Sequence, residues 1–367
     1  MNSLGRHAQG RDNNLNLLRF AAASLVLLSH CWPLTQGTPD NEPAMQLFGL
    51  ELGRMAVWVF FALSGFLVAS SWERRPSVRA FFMARMRRIF PGLIMMLLGL
   101  VFILGPIVTT TSLDEYFTQR KTWSFLLFNA TLYELRWDIP GVFNRAALNG
   151  SLWTLPVEVR CYLVLGLLGW AGALRRGIAY ALAAVVLAVL GYTGWLDQNQ
   201  APLAFSFLAG VSAWKWRDRI ALDGRLALGL LLLALFLMHR RAPLSMAMLV
   251  IALAYGSLYL AYIPAGAVRA FNRIGDYSYG IYIYAFPVQV TVHQLWPGLG
   301  VAGMFVVAMP ITLVLAALSW TLIESPALHG RGLWSGFGAC RAADTNATNA
   351  SSFSPASASP PDRQTGV

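Results

Sequence analysis

Residues 15–34 read LNLLRFAAASLVLLSHCWPL, a stretch long enough to cross a bilayer that nevertheless carries Arg19 and His30. On an α-helix that spacing is about three turns plus roughly 20°, with a rise of about 16 Å. Both side chains therefore leave one stripe of the helix, each near a different surface. An ionisable group facing lipid costs about 2.5–3.5 kcal/mol on insertion scales, so such groups face a bundle interior or a wet cavity. One helix thus presents a fixed cation at one depth and a titratable base at another. That is the layout expected for a reaction whose substrates lie on opposite sides of a membrane.

The remainder of the 367 residues fits that reading. The chain is 56% hydrophobic with a mean hydropathy of +0.53, outside the range of ordinary soluble domains. Ten apolar segments, near 15–34, 55–72, 89–108, 151–173, 178–196, 200–216, 226–239, 244–262, 279–296 and 300–322, predict an all-α polytopic membrane helix bundle of about ten transmembrane helices. With the N-terminus inside, 19 of the 28 Lys and Arg residues fall in cytoplasmic segments and 7 outside, while Arg19 and Arg160 lie within spans. This asymmetry places both termini in the cytoplasm. The outside placement of His239-Arg240-Arg241 fits it least well. The net charge of +11 is explained by orientation in the bilayer, so no nucleic-acid partner is expected.

Cys31, Cys161 and Cys340 have no framework spacing, and neither a disulfide scaffold nor a metal site is expected. The start lacks the pattern of a cleavable signal, so the first helix is expected to stay as an anchor. The organisation expected is a cytoplasmic segment over 1–12, a membrane domain over 13–330, and a disordered polar tail over 331–367. Between residues 109 and 150 a short helix around Trp123 to Phe128 is expected, lying at the outer interface or re-entering the bilayer.

Three constellations could carry chemistry. His30 can take a hydroxyl proton near neutral pH and return it, whereas the bland alternative is a histidine hydrogen-bonded within the bundle. Arg85 and Arg88, three apart, share a helical face at the mouth of the third span. Two guanidinium forks suit a phosphate-bearing ligand, although positive-inside anchoring also explains arginines here. Glu158 lies about 10 Å below the outer surface at 1.5 Å per residue, a depth comparable with that of His30. A carboxylate there can orient an imidazole, as the third member of a catalytic triad does. Pairing of Glu158 with Arg160 is disfavoured, because residues two apart do not face each other on a helix. Ser64 and Gly65 are expected to allow close helix packing rather than to supply a nucleophile.

With these residues in view, the chain resembles the acyltransferase-3 family of integral membrane O-acyltransferases over about residues 13–325. The resemblance rests on Arg19 and His30 with ten residues between them, the run Phe60-Phe61-Ala62-Leu63-Ser64-Gly65-Phe66, and the Arg85-x-x-Arg88 pair. It continues through Ser151-Leu152-Trp153-Thr154-Leu155 with Glu158 and Tyr162, and through Gly275-Asp276-Tyr277-Ser278-Tyr279-Gly280-Ile281-Tyr282. Asn16 and Trp58 depart from the pattern, standing where relatives often have Asp.

The resemblance implies transfer of an acyl group, usually acetyl, from cytoplasmic acyl-CoA to a hydroxyl of an extracytoplasmic polysaccharide or glycolipid. It implies acetyl-CoA as donor substrate, no permanently bound cofactor, and residence in a bacterial cytoplasmic (inner) membrane. It assigns His30 to catalysis and Arg85 and Arg88 to the donor; the reading of the residues adds Glu158 as catalytic partner of His30, with Arg19 and Trp153 in substrate and donor binding. The rival from another class is a non-catalytic transporter or flippase for a polar glycan or lipid, with the same residues lining its path.

Overall fold

The computed structural model describes residues 3–10, 12–143, 146–242 and 244–329. Among these residues the protein is helical, with β-structure confined to two isolated bridges, Ser3 to Ala221 and Thr109 to Val142. The expected tail and Cys340 lie outside the described residues. A helix forms at every apolar segment: α1 (Leu15–Gln36), α2 (Leu52–Arg74), α3 (Val78–Gly99), α4 (Thr154–Trp170), α5 (Ile178–Tyr192), α6 (Gln200–Lys215), α7 (Gly224–His239), α8 (Ser245–Tyr262), α9 (Ser278–Leu295) and α10 (Val301–Ser319).

Six helical stretches, those of α1, α2, α3, α4, α8 and α10, are long and apolar enough to cross a membrane, and α5 and α7 are shorter apolar helices. The chain is a multi-pass membrane protein. The third helix departs most from expectation. It begins at Val78, where the Ser77 hydroxyl accepts from the Ala80 N–H, and runs on through a wide turn at Leu100–Leu104 to Val108. Hydropathy hides its first three turns because they are arginine-rich, yet Arg, Met and Ala are good helix formers. The long connector folds as two short helices, Leu113–Thr118 and Arg120–Thr131, in place of the single one expected. Residues 3–10 are also docked: the Leu4 N–H donates to the Ile220 carbonyl at 2.8 Å, and Leu4 is fully buried.

Contacts between connections sort the helix ends onto two faces. On one, Arg217 pairs with Glu73, Lys215 Nζ donates to the Arg175 carbonyl, and Asn14 donates to the Leu260 and Pro264 carbonyls. On the other, Arg54 meets Asn199, and His239 Nδ1 lies 3.2 Å from the Leu47 carbonyl. The awkward His239-Arg240-Arg241 segment therefore sits with the α1–α2 connection, as alternation of the helices requires.

At the centre, α2 and α6 cross at glycines. A Cβ on Gly210 would strike the Ala62 carbonyl, and one on Gly65 the Phe207 carbonyl. Small residues let membrane helices approach this closely. Gly210→Val is expected to destabilise by about 1–3 kcal/mol, the usual cost of overpacking. A thermal melt in detergent checks this, and an unchanged midpoint would contradict so tight a crossing.

Candidate functional site

Helices α1, α2, α3, α4 and α9 enclose a cavity of about 700 Å³ on the face that carries Glu73 and Arg217. Six arginines line it: Arg19, Arg75, Arg79, Arg85, Arg87 and Arg88. They are graded by depth. Arg75, Arg79 and Arg87 are exposed, while Arg19, Arg85 and Arg88 are half-buried further in. The early start of α3 produces this funnel, since it carries Arg79, Arg85, Arg87 and Arg88 on one continuous helix.

Two of the inner arginines are held by an acid absent from the expected site. Asp276, in the loop before α9, pairs with Arg88 at 2.6 Å and with Arg19 at 3.4 Å, and accepts from the Ser278 hydroxyl. Arg19 Nε donates to Ser278 Oγ at 3.1 Å, and its guanidinium lies over the Phe60 ring. Arg88 also faces Glu324 at 3.9 Å and covers Tyr279. Burial alone would raise the Asp276 carboxyl, but the charges of Arg19 and Arg88 and the Ser278 bonds hold it at about 2.

Its ion pairs therefore contribute stability that is full above the unfolded aspartate value of about 3.9 and is lost only as pH falls toward 2. Asp276→Asn should cost about 3–5 kcal/mol, the scale for breaking a buried pair, and should do so equally at pH 5 and pH 8. Melting midpoints at the two pH values test this. A penalty that disappears at pH 5 would contradict the depressed carboxyl.

Arg85 differs from its neighbours. Its guanidinium covers the Phe81 and Tyr162 rings, and its Nε is buried without a hydrogen-bond partner among the described residues. Beside it, the Tyr162 hydroxyl donates to Glu158, and Ser64 Oγ lies 3.2 Å from that carboxylate and 2.9 Å from the Tyr162 oxygen. Among the described residues Arg85, unlike Arg19 and Arg88, has no ion pair, so it can take an anionic ligand without first leaving a carboxylate. Ser64 joins α2 to this network while Gly65 packs on α6 as expected.

His30 stands apart from the cavity. Thr154 and Tyr282 line its inner end and share a 2.5 Å hydrogen bond, and Tyr282 donates to the Ser151 carbonyl at 2.9 Å. One turn further along α9, about 6 Å, Phe286 covers Gly150 and meets the His30 ring edge-on at 5.3 Å. Glu158 lies one turn from Thr154 in the opposite direction. It and His30 thus fall on opposite sides of the Thr154–Tyr282 layer, and the expected Glu158–His30 contact does not form. Glu158 is held instead by Tyr162 on its own helix and by Ser64 on α2. His30 is half-buried, turned toward α9, with Nδ1 lacking a partner among the described residues. Trp153 packs against the apolar core and is not among the cavity-lining residues.

The sequence reading missed Asp276 and Glu324 as functional residues, and gave Tyr162 only as part of a motif. Asp276 had a local signal, an acid immediately before an apolar segment. Glu324 had none, since its partner Arg88 is distant in the chain.

A family model described as an acyltransferase domain matches residues 12–324. The chain is 31% identical over 332 residues to an O-acetyl transferase of Shigella phage Sf6, covering 86% of this chain and 95% of the relative. It is 32% identical over 374 residues to nodulation protein 10 of Rhizobium leguminosarum bv. viciae, covering 90% and 97%. Similarity to the acyltransferase MdmB of Streptomyces mycarofaciens is 24% over 362 residues, covering 86% and 89%. No solved structure matches the chain.

Proposed function

The chain belongs to the acyltransferase 3 family of enzymes, and from that premise we propose that it is a membrane O-acyltransferase moving an acyl group, most simply acetyl, from cytoplasmic acyl-CoA to a hydroxyl of an extracytoplasmic polysaccharide or glycolipid. In this reading all ten helices cross a bacterial cytoplasmic membrane, with the arginine-rich face and both termini inside. The observation that carries it is the funnel of six arginines leading to a buried polar network. Such a funnel suits a donor with several phosphates at one end and a reactive thioester at the other.

The donor's phosphates take the exposed Arg75, Arg79 and Arg87 at the mouth, where bidentate charge-assisted bonds are available. Arg85, with a buried nitrogen unpaired, binds deeper. The thioester then lies beside Ser64, Glu158 and Tyr162, short of the Thr154–Tyr282 layer. From the opposite face, an acceptor hydroxyl reaches His30. The imidazole takes the hydroxyl proton, the acceptor oxygen forms a bond to the acyl carbon, and the carbon–sulfur bond breaks. The proton returns from His30 to the thiolate leaving group. Transfer requires rotation of the Thr154 and Tyr282 side chains, whose hydroxyls otherwise close the donor cavity.

This function is tested by the acetyl content of the surface glycan in a deletion strain. Loss of the ester, with recovery on complementation, supports the reading. Unchanged acetylation with altered glycan export would instead favour a transporter.

A further inference from the structure

Arg160 is a membrane-segment cation that the acyl-transfer reading does not use. Glu158, two residues away, enters the arginine cavity, whereas Arg160 points to the other side of α4. There it lines a second cavity of about 610 Å³ between α4, α5 and α6. The walls of that crevice are otherwise apolar, formed by residues such as Leu165, Leu168, Ala183, Val186, Leu190 and Phe207. Arg160 is exposed, donates only to the Gln200 side chain at 3.3 Å, and has no ion pair among the described residues. On α5, Leu182, Val186 and Val189 remain more than half exposed.

An apolar crevice of this size between membrane helices offers dispersion contacts along its whole lining to a hydrocarbon chain laid into it. A cation in a membrane-spanning helix calls for a counter-charge. Each feature alone is ordinary, but here one cavity has both. We propose that the crevice holds a hydrocarbon chain of an anionic phospholipid whose headgroup phosphate sits on Arg160. The lipid has the required chemistry at both ends, since a guanidinium binds phosphate oxygens through charge-assisted hydrogen bonds while the acyl chain fills the apolar walls. The bound chain fixes α5 against α4 and α6. This proposal stands independently of the acyl-transfer reading.

The full-length protein, extracted in mild detergent and reconstituted with phosphatidylglycerol, is to be weighed by native mass spectrometry. One retained phosphatidylglycerol is expected on the wild type. Its affinity should fall about fivefold in Arg160→Gln, corresponding to about 1 kcal/mol for one basic side chain at an anionic lipid. Arg160→Lys should restore binding, and Ala183→Phe, which fills the crevice, should abolish it. Because Arg160 is exposed, the Gln and Lys pair answers the question even if Ala183→Phe fails to fold. Equal retention by wild type and Arg160→Gln, equal retention of phosphatidylcholine, or a lipid-free wild type would each overturn the proposal.

Discussion

Replacing His30 with alanine is expected to lower acyl transfer by about 10²–10⁴-fold, the usual contribution of a positioned general base. The substitution is unusually clean. His30 Nδ1 bonds to no described group, and the ring meets Phe286 edge-on, so removing the imidazole takes no hydrogen bond of Nδ1 from a described residue. Membrane insertion and melting midpoint should stay close to wild type while glycan acylation disappears. His30→Gln, which keeps polarity without a comparable basicity, should be as inactive. The readout is ester formed per unit of inserted protein. Wild-type turnover in either variant would remove His30 from the chemistry.

Replacing Arg85 is expected to act on the donor instead. Charge-assisted hydrogen bonds contribute about 1.5–3 kcal/mol, so Arg85→Ala should raise KM for acyl-CoA roughly 10- to 150-fold. Dependence on the acceptor should hardly change. Arg88→Ala should differ in kind, because it strips Asp276 and Glu324 of their common partner and so reduces stability as well. Steady-state kinetics at varied acyl-CoA, alongside a melt, separates the two effects. An unchanged donor KM in Arg85→Ala would detach the arginine funnel from donor binding.

Most of the helical architecture was legible because membrane-embedded helices are rich in apolar residues: a helix forms at each of the ten apolar runs, and six helical stretches are long and apolar enough to cross a membrane. The start of α3 was not, since its arginines lower hydropathy while leaving helix propensity intact. The site was legible one residue at a time but not in its pairings. Arg19, Arg85, Arg88 and Glu158 do converge on one cavity. The partner chosen for Glu158 was wrong, because depth counted along each helix ignores how helices slide past one another. Tyr162, one turn along the same helix, holds the carboxylate instead. Asp276 escaped notice for a related reason: its pairing with Arg19 and Arg88 joins segments hundreds of residues apart, and no local spacing encodes that.

The Thr154–Tyr282 layer gives the two-sided account its sharpest form, with the arginine-lined cavity on one side and the imidazole on the other. Proteoliposomes containing the protein in a single orientation allow labelled acetyl-CoA and a glycan acceptor to be placed in separate compartments. The account predicts labelled glycan when acetyl-CoA bathes the arginine-lined face and the acceptor bathes the other, and none when the two are exchanged. Acetylation only when both substrates share a compartment would contradict it.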